Sequence, residues 1–130
     1  MKKKALTPLG ETEMEVLQHV WQLRQATVAQ VHERILQSRK VAYTTIMTVM
    51  KKLSDKGYLA YEKDGATYVY QPAKSEQEVQ QSLLSNLVDK AFNGSPLALI
   101  QTLVKKEDLS DQERDDILKL IEDLNDNDDD

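Results

Sequence analysis

Apolar residues recur at helical spacing in three stretches near the start of the chain. Leu9, Val16, Leu17, Val20 and Trp21 make the first stripe, one face of an α-helix. It predicts a helix over residues 8–23, with Thr7-Pro8 as N-cap and first-turn proline. Val28, Val31, Ile35 and Leu36 predict a second helix ending near Gln37, opened by the capping-box sequence Thr27-Val28-Ala29-Gln30. Ser38-Arg39-Lys40 is a polar, basic link. Ile46, Val49, Met50 and Leu53 then follow at i, i+3, i+4 and i+7, which predicts a third helix over residues 44–56 closed by Gly57.

The period next changes from helical to alternating. Residues 58–63 and 66–71 are rich in tyrosine and read as two strands. Asp64-Gly65 between them is a hairpin signal, and Pro72 ends the second strand. Alternation turns half of Tyr58, Tyr61, Tyr68 and Tyr70 onto the third helix. Helical spacing then resumes. Ser75-Glu76-Gln77-Glu78 opens a helix striped by Val79, Leu83, Leu84, Leu87, Val88, Ala91 and Phe92, and Asn93-Gly94 ends it. A short helix over 96–104 is almost wholly apolar. Ser110-Asp111-Gln112-Glu113 begins a last helix with Ile117, Leu118, Leu120, Ile121 and Leu124.

Three helices, a hairpin and three more helices predict a mainly α protein with a small β-hairpin wing. Residues 1–74 read as a winged helix-turn-helix DNA-binding domain, 75–124 as a helical dimerisation domain, and 125–130 as an acidic disordered tail. A short helix apolar all round needs burial on most sides. The C-terminal segment is too thin to provide that alone, so a second copy is expected to. The expected dimer interface is Leu83, Leu84, Leu87, Val88, Phe92, Leu97, Ile100, Leu103, Ile117, Leu120 and Ile121.

The third helix carries the candidate chemistry. Opposite its core stripe lie Thr44, Thr48, Lys51 and Asp55, flanked by Tyr43, Thr45, Met47 and Lys52. Hydroxyls can bond base edges, a threonine methyl can press on thymine's, and lysines suit phosphates. Tyr43, Thr44, Thr45, Met47, Thr48, Lys51, Lys52 and, at the wing, Lys63 are therefore the expected DNA contacts. Such a face can also be plain solvated surface; the helix-turn-helix order before it and the hairpin after it favour DNA.

Charge first opposes that reading, since the net charge is −5. Its distribution reverses the objection. Residues 1–74 hold 12 Lys/Arg against 7 Asp/Glu, a net of +5; residues 75–130 hold 5 against 15, a net of −10. A basic front half and an acidic back half suggest two jobs in one chain. Lys2, Lys3 and Lys4 form either a basic arm or a solubilising end. With no cysteine, disulfides, thiolate metal sites and a cysteine nucleophile are excluded. No apolar run suits a membrane span or a signal peptide, so a cytoplasmic protein without membrane insertion is expected.

Catalysis finds no assembled site. His19 and His32 are the only histidines, and neither belongs to an HExxH or a phosphate-loop motif. The C-terminal acids lack EF-hand spacing. No enzyme activity, metal or cofactor is expected. A winged helix used only for protein–protein contact remains the alternative.

The stretch from Leu6 to Leu17 with Trp21, then Ala42 to Leu53 with Lys56-Gly57, resembles the penicillinase repressor family of BlaI/MecI type. Phe92-Asn93-Gly94-Ser95 with Leu99, and Leu109-Ser110, resemble its C-terminal region. The resemblance implies a homodimeric repressor on a pseudo-palindromic double-stranded operator with half-sites of TACA/TGTA type. Base reading would fall on Thr44, Thr45, Met47 and Thr48. It further implies release when a membrane-bound sensor protease triggers C-terminal cleavage. Members cut in this way carry Asn-Phe where this chain has Thr102-Leu103, the candidate cleavage region. A copper-responsive branch uses C-terminal cysteines, which this chain lacks.

Overall fold

Gly10, rather than Thr7-Pro8, opens the first helix. The structure is a computed structural model describing residues 8–105 and 108–128, so Thr7, the N-terminal lysines and the last two aspartates lie outside it. Helix α1 (Glu11–Leu23) starts three residues later than its apolar stripe implied. The Glu13 carboxylate accepts the Gly10 N–H at 3.0 Å, which satisfies one donor that every helix start leaves over. Helix α2 (Val28–Leu36) keeps its expected capping box: Thr27 Oγ1 accepts from Gln30 N–H, and Gln30 Oε1 from Thr27 N–H. Helix α3 (Tyr43–Asp55) begins after Ala42, which has no side chain to cap it.

The end of α3 explains the turn into the wing. Gly57 has φ 88°, a left-handed conformation that favours glycine. Its N–H donates to Ser54 O at 3.1 Å, and Tyr58 N–H donates to Leu53 O at 2.9 Å. Those two bonds form a Schellman closure, and its apolar contact is supplied by Leu53 and Tyr58, both fully buried.

Strands β1 (Leu59–Asp64) and β2 (Thr67–Pro72) pair antiparallel, Tyr61 opposite Tyr70 and Lys63 opposite Tyr68. The loop is Gly65-Ala66, one residue beyond the expected Asp64-Gly65. Only Gly65 takes positive φ there, 64°, as a II′ turn requires at its first position. Ala26 exchanges two backbone hydrogen bonds of 2.8 Å with Tyr70, tying the wing to the link between α1 and α2.

Two compact units divide the chain, Met1–Leu83 and Leu84–Asp130. The division falls inside α4 (Glu76–Ala91), not at the expected residue 74. The reason is Val79, which joins the core of the first unit. That core is three residues each from α1 (Val16, Leu17, Val20), α2 (Val28, Val31, Ile35) and α3 (Ile46, Met50, Leu53), closed by Tyr58, Leu59 and Tyr70. Val49 is only half-buried beside it. Trp21, expected in the core, is half-buried too; its indole N–H donates to Lys74 O at 3.0 Å and anchors the chain after β2. Within the first unit the fold is a winged helix.

The second unit holds the rest of α4, then α5 (Pro96–Val104) and α6 (Asp111–Asp128). Ser95 caps α5 and Ser110 caps α6. Arg114 Nε–H donates to Val104 O at 2.9 Å, fastening the end of α5 to the start of α6. Residues 125–128 continue α6 rather than starting the expected tail.

Candidate nucleic-acid interface

Helix α3 turns two different faces to its surroundings. Ile46, Met50 and Leu53 are fully buried. Tyr43, Thr44, Thr45, Met47, Thr48, Lys51 and Lys52 are all exposed. One apolar stripe at helical spacing anchors the helix, so the side chains about 180° away must project outward. The seven expected contacts on α3 thus share one exposed surface.

A groove of about 950 Å³ runs between that surface and the wing. Tyr43, Met47, Thr48 and Lys51 form one wall, and Tyr61, Thr67 and Tyr68 the other. Thr27, Val28 and Ala29 at the start of α2 close one end. Thr44, Thr45 and Lys52 lie with Thr48 along the other flank of the helix. Lys63 does not line the groove. It sits over the Tyr68 ring, its Nζ 5.8 Å from the ring centroid, a cation–π distance.

The four tyrosines at the wing divide evenly, but not by alternation, since Tyr58 precedes β1 and Tyr68 and Tyr70, two apart on β2, share one face. Tyr58 and Tyr70 are buried, while Tyr61 and Tyr68 stand 52 % and 44 % exposed. The exposed two meet edge-on, centroids 5.1 Å apart. Residue pattern did not assign them to the site. Their signal is the register, which puts Tyr61, Lys63, Tyr68 and Tyr70 on one face of the hairpin.

The cations are sorted by position. Arg39 is held by Glu15 at 2.7 Å and Lys56 by Glu13 at 2.8 Å. Among the described residues, Lys51, Lys52 and Lys63 have no carboxylate at salt-bridge distance. These three lysines are therefore left for an anionic partner, as are the exposed Arg24 and Lys40 elsewhere in the first unit. Burial pushes the Glu13 carboxyl up, but Lys56, the Gly10 N–H and Lys52 outweigh it and hold it below its usual range. Its ionised form thus contributes stability above about pH 4.5, lost as pH falls through the lowered value.

His19 is engaged by a side chain of α2. Arg34 Nε–H donates to His19 Nδ1 at 3.1 Å, so His19 is neutral and carries its proton on Nε2. Burial and then Arg34 lower its pKa, against the pull of Glu15. An NMR titration is expected to place His19 below 6.5. The unfolded chain then binds more protons as pH falls past 6.5, so His19 lowers stability progressively below that pH and not above it. A midpoint above 6.5 would contradict the Arg34 contact.

Among the described residues no cluster of three or more metal-ligating side chains forms, and no helix is long and apolar enough to cross a membrane. Half of the expected interface residues in the second unit are exposed in the single chain. Leu84, Leu87, Leu97, Leu103 and Leu120 range from 44 % to 63 % exposed, with Leu83, in the first unit, at 37 %. Phe92, Ile100, Ile117 and Ile121 are half-buried. Val88 is 8 % exposed, already covered within the chain. Thr102 and Leu103 lie in α5, where Thr102 Oγ1 donates to Ala98 O at 2.9 Å.

A family model described as "Penicillinase repressor" matches residues 9–123. A transcriptional regulator BlaI of Mycobacterium tuberculosis is 33 % identical over 103 residues, 78 % of this chain and 75 % of that protein. A methicillin resistance regulatory protein MecI of Mammaliicoccus sciuri is 26 % identical over 113 residues, 87 % of this chain and 92 % of the other. Among solved structures, the DNA-binding domain of the repressor BlaI in solution aligns with a TM-score of 0.51 at 27 % identity, covering 60 % of this chain and 93 % of that domain.

Proposed function

The chain belongs to the penicillinase repressor family, and from that premise we propose that it is a homodimeric, DNA-binding transcriptional repressor. Each subunit lays α3 in a major groove at one half of a pseudo-palindromic operator. The observation that carries this reading is the exposed Thr44-Thr45-Met47-Thr48 surface, set on a fully buried stripe and flanked by unpaired lysines. Residues 75–124 supply the dimer, and the acidic half faces away from DNA. Thr44, Thr45, Met47 and Thr48 read bases, with Tyr43 beside them in the groove; Lys51, Lys52 and Lys63 hold the backbone. The protein acts in the cytoplasm, not as an enzyme, and needs no cofactor.

Release follows loss of the dimer. Cleavage near Thr102-Leu103 by a sensor protease is one route. It requires α5 to unwind first, because proteolysis favours exposed loops over hydrogen-bonded helix.

Selection of genomic fragments by the purified protein tests the whole reading. A shared inverted repeat is expected; recovery of unrelated fragments would leave only a protein-contact module. On the selected duplex, Thr48→Ala is expected to weaken binding about 5- to 100-fold, the range for one base contact, with little change on random duplex. Lys51→Ala should weaken both duplexes alike and flatten the salt dependence by about one unit per subunit. Equal losses on both duplexes for Thr48→Ala would remove it from base reading.

A further inference from the structure

Six residues, 37–42, join α2 to α3, and none of them is glycine or has positive φ. The turn of a helix-turn-helix is often set by a glycine. In this chain, side chains from α1 and α2 hold the link instead. Arg39, near its start, pairs with Glu15 on α1. Near its end, His32 Nε2 lies 2.7 Å from Val41 O. A carbonyl only accepts, so Nε2 carries the hydrogen and donates. The same ring meets Tyr43 edge-on, centroids 5.6 Å apart and planes at 88°. His32 is half-buried, whereas Tyr43 is 46 % exposed and lines the groove.

We propose that His32 is a positioning residue for DNA recognition, acting through Val41 and above all through the ring of Tyr43. The proposal rests on reading α3 as the DNA-contacting helix. Ala42 offers no side chain to fix where α3 begins. The His32–Val41 bond fixes it from α2. The edge contact then holds the first α3 side chain at the groove in one direction. A side chain ordered before binding loses less freedom when the duplex arrives, so the matched sequence gains most from it.

The test uses the full-length protein, the duplex recovered by selection with the wild type, and a random duplex of equal length. His32→Ala is expected to weaken binding to the selected duplex about tenfold, the loss for one hydrogen bond and one aromatic contact, and to change random-duplex binding by less than about twofold. His32→Gln keeps an N–H donor for Val41 but has no ring. It should restore thermal stability and still lose a few-fold in discrimination, which keeps the test decisive if His32→Ala folds poorly. In a Tyr43→Ala background most of the His32→Ala loss should vanish, as for two residues acting as one unit. Full wild-type discrimination in His32→Gln, or an undiminished loss in the Tyr43→Ala background, would overturn the proposal. A wild type with no sequence preference would instead remove the reading of α3 itself, and the role of His32 with it.

Discussion

Leu87→Asp combined with Leu97→Asp is expected to give a folded monomer that binds a full operator about 10²- to 10⁴-fold more weakly. Both leucines are exposed in the single chain, at 47 % and 63 %. Substitution at such positions usually changes stability by no more than about 0.5 kcal/mol. Leu97 is the second residue of α5, where a carboxylate also suits the helix dipole. The monomer therefore has little reason to unfold. A twofold interface over the same leucines is another matter. It would bury an unpaired carboxylate four times, at several kcal/mol each. Sedimentation gives the oligomeric state, and anisotropy on full and half operators gives the coupling. The half-site affinity should stay close to the wild-type value, because the winged helix is untouched. A dimer that survives both substitutions in sedimentation would take residues 84–103 out of the interface.

Where one residue type answered one local need, the pattern along the chain located the element. Thr27 and Gln30 cap α2, Gly57 closes α3, and α5 occupies the residues 96–104 that its apolar run marked. The inner and outer faces of α3 were equally legible, because its stripe is unbroken. The hairpin loop was not. Turning at Asp64-Gly65 or at Gly65-Ala66 shifts the pairing by two residues, and a shift of two leaves every side chain on the same face. Tyr61, Tyr68 and Tyr70 share a face in either register, so alternation could not choose. The start of α1 was missed for a different reason. Glu13 binds the Gly10 N–H locally, yet is held in place by Lys56, a partner 43 residues away. His32 was invisible as a site residue because its partners, Val41 and Tyr43, lie on the link and the next helix.

Two adjacent residues of α3 are expected to fail in opposite ways. Ile46 is fully buried against α1 and α2, and Met47 is 46 % exposed in the groove. Ile46→Ala removes buried methyl groups and leaves a cavity, at a cost of about 2–5 kcal/mol. Against a total of about 5–15 kcal/mol, that is enough to lower the melting temperature by roughly ten degrees or more. Near and above the lowered melting temperature, operator and random-duplex binding should then fall together, following the folded fraction. Met47→Ala opens no cavity, so stability should move by no more than about 0.5 kcal/mol. Its loss should appear on the operator alone, where an apolar side chain meets base edges or a thymine methyl. Thermal unfolding and anisotropy on the same two proteins separate these outcomes. A stable Ile46→Ala protein beside an unfolded Met47→Ala protein would mean that α3 is rotated about its axis, with Met47 rather than Ile46 against the core. The threonine surface would then no longer face outward, and the assignment of base contacts would fall with it.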